Sequence, residues 1–289
     1  ALRLGMIGPL SGVNSESGLY ASLAVELAVN EINSLGGVGG HQGRPLAVLS
    51  CDDEGNASMG VLAAEHLTEQ VGVPAIIGPA YSKVTLEVAE QITIPSEVLT
   101  LAYSSTASSI GDLEDNRLVW RLAPPDDFQG DSLAFFSMWQ LIENSAAGSE
   151  GVRGTDDDRP ESSGRGAPRL GLVYANDIYG VGIRDELKSR LDASLQLATG
   201  GVPRFEDLPY EPSQTASIQS VIQTLKEDPP PVVVIAGYEE TVAILSEAAG
   251  NTSLADSAFL LADGVRSDQL RTLYDTEADL PRLLFGTSP

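Results

Sequence analysis

The chain has 289 residues, with 17 Lys plus Arg against 41 Asp plus Glu, a formal net charge of −24, 42% hydrophobic residues and 20% charged ones. That apolar fraction supports a sizeable core and excludes disorder of the chain as a whole, and the length suits one large or two ordinary domains. The acidic excess argues against DNA, RNA or an anionic membrane surface as partner, because phosphate contacts need clustered Lys and Arg. Only Lys83, Lys188 and Lys226 are lysines, and a Lys-poor acidic surface of this halophilic kind stays soluble at high salt.

The single Cys51 excludes an internal disulfide framework and an all-Cys metal site, and its place at a strand end predicts a buried, inert thiol. No apolar run approaches the roughly 20 residues that span a bilayer, so no direct membrane insertion is expected. No basic segment followed by an apolar one opens the chain, which starts almost directly on a strand. A processed, exported protein with its signal peptide removed, or a trimmed chain, would look this way.

In chain order, the apolar run Leu2 to Ile7 ends at Gly8-Pro9, and a helical pattern follows over 18–33 with Leu19, Leu23, Leu27 and Ile32 recurring at intervals of four or five. The GGVGG run stops that helix. Strands are predicted at 45–50, 75–77, 98–101 and 119–122, with helices at 57–70 and 82–92. After the stiff LAPPDD linker come a helix over 128–142 and a Gly, Ser, Asp and Arg-rich stretch at 145–168 that reads as a mobile surface insertion. Strands at 169–174, 194–197, 232–236, 258–261 and 283–285 then alternate with helices at 179–191, 215–226, 239–249 and 267–274. Short apolar strands between helices mean parallel sheets covered on both faces. The prediction is an α/β protein of two units, 1–121 and 122–289.

In such sheets ligands bind beyond the carboxyl ends of the strands. In the first unit those loops are hydroxyl-rich and nearly uncharged. Ser82 is placed to cap the helix that it opens, and with the N–H groups behind it makes a carboxylate-sized anion site; Ser105 and Thr106 add donors from the next loop. In the second unit the loops carry Tyr179, Tyr238, Glu239, Glu240 and Asp263. An acid facing an anion-binding loop suits a zwitterion. Ordinary capping, turn and packing roles explain each of these residues taken singly.

Enzymatic readings are weak. The chain has no phosphate loop, no G-x-G-x-x-G opening the first helix and no G-x-S-x-G. His41 and His66 fall in no metal-ligand spacing. Asp52 and Asp53 are adjacent acids closing a strand, usually a solvated pair. No metal and no cofactor are expected.

The segments GMIGPLSG, LAVNEINSLGGVGG, LAVLSCDDEGNASMGVLAAEHL, AIIGPAYSKVT, LTLAYSSTAS, LGLVYANDIYGVGIRDEL, VVVIAGYEETVAILSEA and FLLADGV together resemble the type I periplasmic binding proteins, nearest to the leucine/isoleucine/valine-binding and amide-binding receptors of ABC importers. The resemblance implies two Rossmann-like lobes that close on a ligand about a hinge, lobe one being 1–121 and lobe two 122–289. It assigns the carboxylate to Ser82, Ser105 and Thr106, the ammonium to Asp263, the covering aromatics to Tyr179 and Tyr238, and a side-chain pocket to Tyr81. The implied partners are a small-molecule ligand, an amino acid or amide, and a membrane permease; the implied location is periplasmic or extracellular. A signalling receptor domain is the alternative. The resemblance also implies a return segment beyond Pro289 that completes lobe one, without which lobe one is incomplete.

Overall fold

The computed structural model describes residues 1–12, 15–40, 42–147, 169–199, 204–212, 214–250, 253–254, 256–276 and 284–287. The predicted insertion lies outside them except for 145–147, which end a helix, and His41 also lies outside them. The chain divides into two compact units, Ala1–Asp126 and Asp127–Pro289.

In the first unit, β1 (Leu2–Gly8), β2 (Leu46–Asp52), β3 (Ala75–Ile77), β4 (Leu99–Ala102) and β5 (Val119–Arg121) form one sheet in the order β2-β1-β3-β4-β5. Every pairing is parallel, with Met6 opposite Ser50 on one side and Ile77 on the other. The connections are helical: α1 (Ser15–Ser34), α2 (Ala57–Glu65) and α3 (Ser82–Val88). Asn56 starts α2 by accepting from the backbone N–H groups of Ser58 (2.9 Å) and Met59 (3.3 Å). This helix widens into π-type turns over His66–Val71 and ends at Gly72, whose φ of 71° suits a residue without Cβ. The core is the face on which Ile7 and Ile76 meet Ala63, Ala64, Leu67, Val84 and Val88.

The helix α1 forms as predicted, but its apolar stripe does not face the sheet. Leu19, Leu23 and Leu27 are 48%, 61% and 63% exposed, while Gly18 is buried and Ser22, Val25, Val29 and Asn33 are half-buried. The inward face is therefore the small-residue one, recurring at three or four. Gly18 is forced by contact: a Cβ there would collide with the carbonyl of Pro9. A 3.6-residue period fixes the helix; the choice between two adjacent apolar faces is made by how closely the backbone must approach the sheet.

In the second unit, β6 (Arg169–Ala175), β7 (Arg204–Tyr210), β8 (Val232–Ala236), β9 (Ala258–Leu261) and β10 (Leu284–Gly286) lie in the order β10-β9-β8-β6-β7, again all parallel. The helices are α4 (Asp126–Ala147), α5 (Ile178–Thr199), α6 (Thr215–Glu227), α7 (Val242–Gly250) and α8 (Asp268–Thr276). Strand residues alternate between two cores. Val173, Val233, Ile235, Phe259 and Leu261 meet α6 and α7, and Leu170, Leu172, Val232, Val234 and Leu260 meet α4 and α5.

The predicted strand at 194–197 is part of α5, and the real seventh strand is Arg204–Tyr210. An S-L-Q-L run is short enough to suit either state. The segment RFEDLPY looks unlike a strand because it carries two acids and a proline. It occupies the sheet edge, where Pro209 needs no ladder N–H. The Tyr210 carbonyl accepts from Asn176 N–H in the bridge to β6, so the neighbouring Pro209 nitrogen faces away from the sheet.

Candidate functional site

The strand ends of each unit collect the residues that the sequence singles out, in two groups. In the first unit, α3 opens directly after β3, and its N-cap is Tyr81, whose side chain makes no cap bond. Ser82 is the first helical residue instead of the expected cap. Its hydroxyl reaches the next loop, where it accepts from the N–H groups of Thr106 (3.2 Å) and Ala107 (3.1 Å). A hydroxyl has two acceptor sites and one proton. With both acceptor sites filled, Ser82 has only its proton left, so it can donate to an anion.

Ser105 differs. Its hydroxyl donates to the Ala80 carbonyl (2.9 Å) and therefore receives the Thr85 hydroxyl (2.7 Å), tying the loop after β4 to the one after β3. It is 1% exposed, and its proton is spent. The Thr106 hydroxyl makes no hydrogen bond among the described residues, while its carbonyl accepts from Asp126 N–H (2.9 Å) and Arg121 Nη1 (3.2 Å). So of the three predicted hydroxyl donors, the structure leaves a proton on two. The Tyr81 ring lies over Gly55, 3.1 Å from where a Cβ would stand.

The adjacent acids at the end of β2 are unlike each other. Asp52 accepts from Leu10 N–H, Ser11 N–H and hydroxyl, and Glu54 N–H, and although its partial desolvation opposes this, those bonds hold its carboxyl below the ordinary range. Asp53 is fully buried, its Oδ1 taking Gly55 N–H (2.8 Å) while Oδ2 meets no donor among the described residues. Burial, with the Asp52 charge adding to it, pushes its carboxyl up to about 6. Tyr103, whose hydroxyl packs 2.6 Å from where a Gly8 Cβ would stand, is raised by burial and by Asp53. Cys51, half-buried in β2, is raised by burial, which suits an inert thiol.

In the second unit the loops after β6, β8 and β9 bring Tyr179, Tyr238 and Asp263 together. The two rings stack with centroids 5.3 Å apart and an interplanar angle of 25°. Each phenol donates to an acid, Tyr179 to Asp263 Oδ1 and Tyr238 to Asp177 Oδ2, both at 2.7 Å. Burial first, and Asp177 second, raise the Tyr238 phenol, so it stays a donor.

The two acids are used differently. Asp177 is consumed: Oδ2 takes Tyr238, and Oδ1 takes the N–H groups of Tyr179 (3.1 Å) and Gly180 (3.0 Å) as the cap of α5. Asp263 takes both of its side-chain bonds on one oxygen, from Tyr179 Oη and from Gln129 Nε2 (2.8 Å). Its Oδ2 makes no hydrogen bond among the described residues, and no cation there pairs with it. A carboxylate held by neutral donors keeps its charge for a cationic group outside. Gly264 closes the loop because its N–H must reach Tyr179 Oη (3.0 Å) and a Cβ there would meet that same oxygen at 2.9 Å.

Sequence reasoning missed Gln129 and Asp177. Asp177 lies in the ANDIYG loop, two residues before Tyr179, which is the signal of a helix cap. Gln129 lies in the first turn of α4, beyond the loop that follows β5, and among Asp126, Asp127 and Asp131 nothing in the sequence marks it out. Glu239 and Glu240 lie in a single helical turn after β8, where Tyr210 Oη bonds Glu240. His66 is exposed and bonds Gln70 (3.0 Å), a surface role. Among the described residues no cluster of His, Cys, Asp and Glu is arranged to hold a metal ion, and no helix is long and apolar enough to cross a membrane.

Known proteins resemble the chain over nearly all its length. It is 25% identical over 254 residues to a chemotactic signal transduction system substrate-binding protein, BasB, of Halobacterium salinarum, covering 86% of the chain and 53% of that protein. It is 24% identical to Leu/Ile/Val-binding protein homolog 8 of Brucella abortus, over 99% of the chain and 66% of that protein. The chain thus spans about half to two thirds of the length of these curated relatives. In fold it matches the leucine-binding protein LivK of Thermotoga maritima with a TM-score of 0.71 at 18% identity, over 96% of the chain and 67% of that structure. It matches the isoleucine complex of LivJ from Streptococcus pneumoniae with a TM-score of 0.68 at 20% identity, over 94% of the chain and 67% of that structure. Two parallel-sheet α/β units with this strand order, and a periplasmic binding protein model that matches residues 1–279, show that the chain belongs to the type I periplasmic binding protein family.

Proposed function

We propose that the chain is a non-catalytic solute-binding receptor, periplasmic or extracellular, that captures a small amino acid or a close analogue by hinged lobe closure and delivers it to the permease of an ABC importer. The observation that carries this reading is the Asp263 carboxylate, backed by two neutral donors on Oδ1 and, among the described residues, without a partner on Oδ2. That is the arrangement an ammonium group requires. On lobe one, Ser82 and Thr106 donate to the ligand carboxylate, and Ser105 fixes the loop from which they do so. Tyr179 and Tyr238 cover the aliphatic part, and Tyr81 borders the side chain. The strongly acidic body, with a formal charge of −24, disfavours a net anionic ligand at long range and favours a zwitterion.

Calorimetry against the standard amino acids tests the reading. The wild-type chain binds at least one, and Asp263→Ala weakens that ligand by about tenfold or more, the worth of one charge-assisted bond. An unchanged dissociation constant would sink the assignment. The ligand is recovered chemically unchanged after incubation, as a receptor requires.

The chemotactic relative supports a second reading, in which the same clamp reports to a signalling partner. The ligand-loaded protein stimulates ATP hydrolysis by a reconstituted importer under the first reading and leaves it at its basal rate under the second.

A further inference from the structure

Gln129 is 5% exposed and sits in the first turn of α4. Its amide meets Asp263 twice: Oε1 accepts the Asp263 backbone N–H (3.1 Å), and Nε2 donates to Asp263 Oδ1 (2.8 Å). The Thr287 hydroxyl also donates to Oε1 (3.0 Å). Two donors on one amide atom require that atom to be the oxygen, so the NH2 end is left for the carboxylate and the amide has one orientation. Tyr179 Oη supplies the other bond to Oδ1 and itself accepts Gly264 N–H. Both donors thus converge on the same oxygen from two different elements, α4 and α5, and fix the carboxylate plane with Oδ2 turned away from them.

We propose that Gln129 is the positioning residue of the cation-binding acid: its amide sets the Asp263 rotamer and keeps Oδ1 engaged, so that Oδ2 alone meets the ligand's ammonium. Gln129 does not touch the ligand; it acts through Asp263. The proposal rests on the reading of Asp263 as the ammonium acceptor. It adds a selectivity rule: loss of Gln129 lowers affinity for ligands with an amino group and spares ligands without one.

The test uses calorimetry on the full chain, with each standard amino acid paired with the carboxylic acid that lacks its α-amino group. In Gln129→Leu the affinity for the amino acid falls about tenfold, while that for the des-amino acid stays within about twofold of wild type. Gln129→Glu gives a second readout that survives if the first variant folds poorly. Its Oε1 still accepts from Asp263 N–H and Thr287, but its other oxygen faces Asp263 Oδ1, and the two carboxyl groups must share a proton. As pH rises from 5 to 8 the shared proton leaves and the negative charge beside the ammonium doubles. Amino-acid affinity in this variant therefore rises with pH more steeply than that of the wild type. Equal losses for the amino and des-amino ligands in Gln129→Leu, or an unchanged amino-acid affinity, would overturn the proposal, as would a profile in Gln129→Glu no steeper than that of the wild type. Failure of the wild type itself to bind any amino acid overturns the underlying reading of Asp263, and it is seen before any variant is made.

Discussion

The two units repeat one βα plan but cover their sheets differently. In the second, β8 and β9 are buried along their whole lengths, and their alternate residues feed two separate cores under α4–α5 and α6–α7. In the first, one dense core lies under α2 and α3, β2 is only half-buried, and the helix on the other face, α1, turns Leu19, Leu23 and Leu27 outward. The same contrast runs through the strand ends. The first unit offers the proton of Ser82, whose acceptor sites are already filled by backbone N–H groups, and the second offers the Asp263 carboxylate, whose Oδ1 is already filled by side chains. In each lobe, internal bonds consume one kind of capacity and leave the complementary kind facing out.

That difference in coverage orders the expected mutational effects. The largest is Phe259→Ala, which empties a fully buried site between β8, β10 and α7 and costs about 3–5 kcal/mol by urea denaturation. A loss under about 1 kcal/mol would mean that the second unit's core is looser than its burial implies.

Next is Asp53→Asn. The ordinary Asp value is 3.8, and the folded chain lifts Asp53 to about 6. Between those values the folded state holds a proton that the unfolded state releases, so stability falls as pH rises through this window. The deficit is complete above it, at about 3 kcal/mol from 1.36 kcal/mol per pKa unit. Asn keeps the acceptor for Gly55 N–H and carries no charge. The variant is therefore more stable than wild type at pH 8 and matches it at pH 4. Parallel melting curves across the whole range would contradict the buried-acid account.

Ser82→Ala follows. It strands two buried N–H groups, of Thr106 and Ala107, at about 1–3 kcal/mol. Ser105→Ala leaves those N–H groups paired and removes instead the partner of the Ala80 carbonyl and the Thr85 hydroxyl. If Ser82→Ala melts like the wild type, its hydroxyl does not hold the Thr106 and Ala107 N–H groups.

The smallest effect is that of Leu23→Ala on α1. At 61% exposure it shifts stability by no more than about 0.5 kcal/mol, against the several kcal/mol of Phe259. A cost of 2 kcal/mol or more would show that the outward stripe of α1 packs against something.

Most of the architecture was legible in the sequence because buried parallel strands are short continuous apolar runs, such as VVVIA, set between longer helical periods. β7 was not, since RFEDLPY obeys the rules of an edge, where acids and a proline are tolerated. The α1 helix was legible, but its buried face was not, because small residues under a close backbone leave a weaker signal than leucines on the outside. The placement of the candidate residues was legible where they follow strands: Tyr81, Ser82, Ser105, Thr106, Tyr179, Tyr238 and Asp263 all lie in the loops or first helical turns after β3, β4, β6, β8 and β9. Ser82 was expected as a cap and proved to be a bridge, because sequence shows which loop a hydroxyl belongs to but not which neighbouring loop it reaches. Gln129 was not legible, being 134 residues from the aspartate that it orients.

The outer border of β7 has a consequence for behaviour at high concentration. An open strand border with free N–H and C=O groups is a template on which further chains can zip into fibrils. Here Pro209 removes one outward N–H, and the strand that contains it carries Arg204, Glu206 and Asp207, with Arg169 and Lys188 paired to the two acids. A second copy approaching this border meets a missing donor and a fringe of charge. Among the described residues, this border is thus guarded against strand-to-strand growth by one ring and a few ions.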